Sequence, residues 1–182
     1  VAGTDPRSVA IGDLNRDGKP EVVVVNFDNA SGYNLSIFRN ISIGGSEILF
    51  SPQLNLETGQ GPSCIAVGDL NGDGKPELVV TNYSSNTVSV FKNAHCDHED
   101  ISFTSAVNFQ TGLHPVFVTI GDIDSDTKPD LAIANVNDNT VSILRNNSTT
   151  GTGVSFESKV DYTTSDMPRN VDIGDLDGDG KP

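Results

Sequence analysis

Four short stretches carry oxygen-bearing side chains at alternate positions: DLNRDGKPE from Asp13, DLNGDGKPE from Asp69, DIDSDTKPD from Asp122 and DLDGDGKP from Asp175. The oxygens fall at positions 1, 3, 5 and, where the stretch extends that far, 9. Ca²⁺ gathers about six to eight hard oxygen ligands in a flexible shell, and this pattern supplies them. Without a cation, so many neighbouring carboxylates would repel one another. Mg²⁺ suits the pattern less well, because it demands a strict octahedron and keeps its waters.

The ligand sets follow position by position. The first is Asp13, Asn15, Asp17, the backbone carbonyl of Lys19, and Glu21. The second is Asp69, Asn71, Asp73, the Lys75 carbonyl and Glu77. Asp122, Asp124, Asp126, the Lys128 carbonyl and Asp130 form the third, and Asp175, Asp177, Asp179 and the Lys181 carbonyl the fourth. Glycine at position 6 permits the left-handed turn that curls the chain. Proline at position 8 fixes the exit. Thr127 replaces the glycine in the third stretch, where a β-branched residue costs about 1 kcal/mol. An EF-hand needs a bidentate Glu at its twelfth position. Here Val24, Val80 and Ile133 stand there, and the flanks read as strands.

The elements that must hold these stretches recur with them. The first aspartates lie 56, 53 and 53 residues apart. Asn40, Asn93 and Asn146 each precede a phenylalanine by ten residues: Phe50, Phe103 and Phe156. The units run over about 6–61, 62–114, 115–167 and a truncated 168–182. In the first unit, Ser8–Gly12 reads as a short strand with Val9 and Ile11 on one face and Ala10 on the other. Glu21–Asn26 is a valine run suited to a strand buried on both faces. Asn34–Arg39 alternates, as do Phe50, Leu54 and Leu56 with their polar neighbours. No apolar stripe has the 3.6-residue period of a helix.

Four strands per unit of this length predict β-propeller blades. The expected fold is all-β: a propeller fragment of about three four-stranded antiparallel blades plus a partial blade, filling 1–182. A stacked β-solenoid is the competing architecture, but its rungs are usually about half as long. The sequence opens at Val1 and stops at Pro182, inside the fourth acidic stretch. The expectation is an excerpt, with the rest of the propeller in the parent chain.

Composition narrows the partners. Lys and Arg number 11 against 25 Asp and Glu, a formal charge of −14. That balance argues against nucleic acid and anionic membranes. Four Ca²⁺ would bring the charge to −6, so metal accounts for much of the acidity. No apolar run approaches the roughly 20 residues of a bilayer-spanning helix.

The recurring Gly-Asp-(Leu/Ile)-(Asn/Asp)-x-Asp-Gly-Lys-Pro-(Glu/Asp), with the Val-rich strands and the Asn-Thr-Val-Ser-Val that follow it, resembles the FG-GAP/VCBS repeat family. The integrin alpha-chain propellers are its best-known members. The resemblance covers nearly the whole chain. It implies an extracellular propeller, secreted or on the cell surface, with Ca²⁺ in its blade loops. The literal Phe-Gly and Gly-Ala-Pro signatures are replaced by Ile-Gly or Val-Gly, which favours the broader VCBS-like group over an integrin role.

Other chemistry-bearing residues fit no repeated scheme. His95, Cys96 and His98 could form a transition-metal site, but the aligned stretches of the other units have neither residue type, so a variable loop is expected. Cys64 is expected to be a half-buried free thiol; pairing with Cys96 is the alternative. His114 is expected to face solvent. Asn29, Asn34, Asn40, Asn82, Asn146 and Asn147 match the N-glycosylation pattern. No nucleophile–base pair or phosphate loop stands out, so no enzyme is expected. The expected role is a Ca²⁺-stabilised scaffold for binding or adhesion, its protein or glycan ligand unidentified, with contacts from the insertion Asp28-to-Asn34 and the His95 loop. The alternative is a carbohydrate-binding propeller, alone or attached to a polysaccharide-degrading enzyme. That role calls for an aromatic platform, and the chain has no Trp and only Tyr33, Tyr83 and Tyr162.

Overall fold

A computed structural model describes residues 4–27, 34–44, 47–94 and 100–182. The insertion tip at 28–33, with Asn29 and Tyr33, lies outside the described residues. So does 95–99, and with it the His95, Cys96 and His98 cluster and the Cys64–Cys96 pairing.

The described chain is all-β and forms three four-stranded antiparallel sheets that do not close into a ring. The first sheet is β1 (Pro6–Gly12), β2 (Glu21–Asn26), β3 (Leu35–Phe38) and β4 (Leu54–Leu56). The second is β5 (Pro62–Gly68), β6 (Glu77–Asn82), β7 (Thr87–Phe91) and β8 (Val107–Gln110). The third is β9 (Pro115–Gly121), β10 (Asp130–Asn135), β11 (Thr140–Leu144) and β12 (Val160–Thr163). Each is a simple meander in which consecutive strands pair. The first strands lie side by side, β1 against β5 and β5 against β9, as the inner strands of adjacent propeller blades do.

Register explains the sequence periodicities. Gly12 pairs with Glu21, Gly68 with Glu77 and Gly121 with Asp130, so each acidic stretch closes a hairpin between a first and a second strand. The ten-residue spacing from Asn to Phe marks an isolated bridge: Asn40 with Phe50, Asn93 with Phe103, Asn146 with Phe156. The outer strand is shorter than the alternation from Phe50 predicts, because β4 spans only Leu54–Leu56 and Phe50 belongs to that bridge.

The core lies between sheets. Leu14, Val23, Val25, Leu35 and Ile37 of the first unit pack with Ile65, Leu78, Val80 and Phe91 of the second. Val79, Val88 and Val90 face the other way, onto Val118, Leu131, Ile133 and Leu144. Strand β6 is therefore buried on both faces, as its continuous apolar run requires. In the first unit, which has no neighbour before it in this structure, Val9 and Ile11 are 62% and 66% exposed.

Inner strands meet through glycine. A methyl group on Gly12 would lie 3.0 Å from Val67 Cγ1; on Gly68, 3.1 Å from Ile120 Cδ1; on Gly121, 3.1 Å from Ile173 Cδ1. The recurring Gly before each acidic stretch is thus a contact surface for the branched side chain of the next unit. Residues 168–182 form no strand, yet Ile173 takes its place in this series.

A polar ladder crosses each blade. Asn82 Nδ2 donates to Ser89 Oγ at 2.8 Å, and Ser89 Oγ donates to Asn108 Oδ1 at 2.6 Å. Asn26–Ser36–Asn55 and Asn135–Ser142–Asp161 repeat it. Two of the glycosylation matches, Asn34 and Asn82, are 4% and 0% exposed and hydrogen-bonded inside the sheets, and Asn146 is 3% exposed, so the tripeptide pattern does not identify accessible acceptors there. Cys64 is unpaired among the described residues and is buried rather than half-buried.

Candidate metal centre

Each acidic stretch folds as a backbone cradle around its first aspartate. Asp13 accepts N–H bonds from Asp17 at 3.1 Å and Gly18 at 2.9 Å. Asp69 accepts from Asp73 at 3.2 Å and Gly74 at 2.8 Å. Asp122 accepts from Asp126 and Thr127, and Asp175 from Gly178, Asp179 and Gly180. These N–H groups hold the Asp175 carboxyl below the usual carboxylate range. Position 3 accepts from position 5: Asn15 from Asp17, Asn71 from Asp73, Asp124 from Asp126, Asp177 from Asp179. Position 5 accepts in turn from the position 7 N–H, so Asp17, Asp73, Asp126 and Asp179 hold Lys19, Lys75, Lys128 and Lys181.

Two left-handed residues make each curl, where the sequence pointed to one. Position 4 has φ of 60° at Arg16, 68° at Gly72, 63° at Ser125 and 79° at Gly178. Position 6 has 85° at Gly18, 80° at Gly74 and 87° at Gly180. Thr127 adopts φ 73°, so the expected strain at that residue is present.

The position 9 carboxylates are buried. Glu21, Glu77 and Asp130 are 0%, 0% and 1% exposed. Glu77 accepts N–H bonds from Leu70 at 2.9 Å and Asn93 at 3.3 Å, tying the loop to the end of β7. Glu21 holds Leu14 and Asn40, and Asp130 holds Ile123 and Asn146, in the same way. Burial pushes the Glu77 carboxyl up to about 7, against the pull of those N–H groups, and Asp73 and Asp69 add to the rise. Glu21 and Asp130 are raised for the same reason.

The carboxylates converge unevenly. Asp122, Asp124 and Asp130 bring oxygens within 4.8 Å of one another, and so do Asp175, Asp177 and Asp179. Asp126 stands outside the first of these groups. Loops one and two form no such trio of carboxylates; their position 3 side chain is the amide of Asn15 or Asn71. The donor set fits Ca²⁺: it is all oxygen, mixes carboxylate with amide, and is curled by backbone N–H bonds that leave further lone pairs free.

Two roles were not read from the sequence. A cation stands immediately before each bridging asparagine. Arg145 pairs with Asp124 and, at 3.3 Å, with Glu157. Arg39 lies 4.0 Å from Asp17, and Lys92 donates to the carbonyls of Gly151 and Thr152. The recurrence of Arg39, Lys92 and Arg145 was the available signal. The asparagines themselves span units. Asn93 Nδ2 donates to Leu14 O at 2.8 Å and Pro76 O at 3.2 Å, and Asn146 Nδ2 to Leu70 O at 2.7 Å and Pro129 O at 2.8 Å.

His114 departs from its expected exposure. It is half-buried with φ 56°, its ring stacked on Tyr83 at 4.2 Å, and its Nδ1 buried without a partner.

A sequence profile described as FG-GAP-like repeat matches residues 13–80, 69–133 and 122–182. No curated protein matches the chain. Among solved structures, a protein from Bacteroides fragilis described as a candidate 6-phosphogluconolactonase superposes with a TM-score of 0.60 at 24% identity. The match covers 93% of this chain and 42% of that one, so this chain spans less than half the length of the protein it resembles. At that identity the likeness speaks for the fold alone.

Proposed function

Since this chain belongs to the FG-GAP-like repeat family, we propose that it is a calcium-stabilised, non-catalytic propeller scaffold that presents a binding surface outside the cell. The observation that carries this reading is the buried position 9 carboxylate of three successive loops. Glu21, Glu77 and Asp130 are withdrawn from water, held by backbone N–H groups, and set beside two or more further acids. A buried carboxylate in acidic company is costly unless a cation shares the site. Bound Ca²⁺ would neutralise each cluster and clamp the β1–β2, β5–β6 and β9–β10 hairpins.

Asp13, Asn15, Asp17, the Lys19 carbonyl and Glu21 would hold the first ion; Asp69, Asn71, Asp73, the Lys75 carbonyl and Glu77 the second. Asp122, Asp124, Asp126, the Lys128 carbonyl and Asp130 would hold the third, with Arg145 withdrawing from Asp124. Asp175, Asp177, Asp179 and the Lys181 carbonyl would contribute to a fourth. The exposed faces at Val9 and Ile11 and at Leu176, which is 100% exposed where Leu14 and Leu70 are buried, fit further units of the same kind.

The test is calorimetric Ca²⁺ titration of the chelator-stripped chain and of Asp73→Ala. The expected result is binding at several sites, with one site lost in the variant. Heats indistinguishable from buffer, or the same loss for Mg²⁺ and Ca²⁺ alike at equal affinity, would overturn the assignment.

A further inference from the structure

The ends of the inner strands opposite the acidic loops surround a cavity of about 480 Å³ lined by Arg7, Phe27, Ser63, Tyr83, Val116 and Arg169. Arg7, Ser63, Val116 and Arg169 each follow the proline that opens a unit, so all four units meet here beside the propeller axis. The first and fourth units each contribute one arginine to its lining. The second and third provide the floor, where Ser63 Oγ donates to Pro115 O at 2.8 Å.

The wall is aromatic. The Arg7 guanidinium carbon lies 4.6 Å from the Phe27 ring centre, Phe27 meets Tyr83 edge-on at 6.3 Å, and Tyr83 stacks on His114. Arg7 is held twice, by that ring and by Nε and Nη2 bonds of 3.0 and 2.8 Å to Asp5. Its position is therefore fixed before any ligand arrives, and one Nη group stays free. Asp5 offsets the charge of Arg7. The Arg169 side chain is exposed and makes no hydrogen bond or ion pair among the described residues, so no carboxylate offsets its charge through a direct contact there.

In a chain of charge −14 with only 11 Lys and Arg, an anion is repelled by most of the surface. Two arginines line this one cavity. We propose that this axial mouth binds a small organic oxyanion, a carboxylate or phosphate carried on a flat or sugar-sized body. The oxyanion would lie between Arg7 and Arg169, with its body against Phe27 and Tyr83. The volume falls within the range of about 300–1,000 Å³ usual for small-ligand pockets. Arginine forks match oxyanion geometry, and an aromatic wall accepts the less polar face of the ligand. This deepens the reading of the chain as a binding scaffold but does not depend on the metal.

The test is an amide NMR titration of the Ca²⁺-saturated chain with D-glucuronate, D-glucose 6-phosphate and D-glucose. The expected result is saturable shifts at Ser63, Tyr83 and Val116 with one or both anions, at least tenfold weaker binding of glucose, and at least tenfold loss in Arg169→Ala. Which anion binds tighter tells carboxylate from phosphate. Tyr83→Ala should weaken the same anion several-fold, and unchanged amide shifts outside the cavity show that each variant is folded. Shifts equal for glucose and the anions, no shift with either anion, or unchanged affinity in folded Arg169→Ala would overturn the proposal. The calorimetric Ca²⁺ result is independent of all three.

Discussion

The side-chain amide of Asn146 donates at 2.7 Å to the carbonyl oxygen of Leu70, 76 residues earlier in the chain. Leu70 is the second residue of one acidic loop, and Asn146 caps the third strand of the next blade. The same amide donates to Pro129 O, and its own backbone N–H is held by Asp130. One buried side chain thus joins two successive loops.

Asn146→Ala leaves the Leu70 and Pro129 carbonyls without that donor in a buried setting. The expected cost is about 2–4 kcal/mol. Asn40→Ala is the comparison, because Asn40 Nδ2 reaches only Pro20 O, at 3.1 Å, in an exposed setting. Its cost is expected at about 1 kcal/mol. Urea unfolding of both variants checks the difference, and equal costs would refute the inter-blade latch.

Gly68→Ala places a methyl group 3.1 Å from Ile120 Cδ1, between two inner strands. Overpacking there is expected to cost about 1–3 kcal/mol. Gly174→Ala has open space around it and is expected to stay within about 0.5 kcal/mol of the parent. Thermal melts of the pair decide whether close approach of inner strands, rather than loss of glycine as such, matters.

Thr127→Gly should relieve the φ 73° strain and stabilise the chain by up to about 1 kcal/mol, less the cost of glycine's greater unfolded-state entropy. A destabilised variant would show that the threonine side chain contributes a contact outweighing its strain.

Stability in chelator should fall as pH rises from about 4.5 to about 7. The folded-state pKa of Glu77 is raised to about 7, above its unfolded value. The folded chain therefore binds more protons in that window, and the stability this group gives is lost as pH climbs through the folded value. The raised Glu21 and Asp130 act in the same direction. Saturating Ca²⁺, which binds only the folded loops, should raise the melting temperature most at the upper end of the window. Melts across the range in EDTA and in Ca²⁺ test this. A chelated protein that gains stability between those pH values, or a melt unchanged by Ca²⁺, would contradict it.

The local pattern was legible from one strand to the next. Alternating oxygens beside a glycine dictate a curled loop whatever surrounds it, because φ preferences and hydrogen bonding act within a few residues. The recurrence of Gly-Asp, Asn and Phe at fixed offsets likewise set the blade and its four strands. Tertiary structure decided what those recurrences are for. Gly12, Gly68 and Gly121 are contact surfaces for the next unit, and Asn93 and Asn146 are bonds to the previous one. His114 left solvent because Tyr83 offers a ring to stack on, and Arg7 and Arg169 came to line one cavity only through the packing of successive units. Those relationships join residues more than 30 positions apart, beyond the reach of periodicity, and packing between sheets alone sets them.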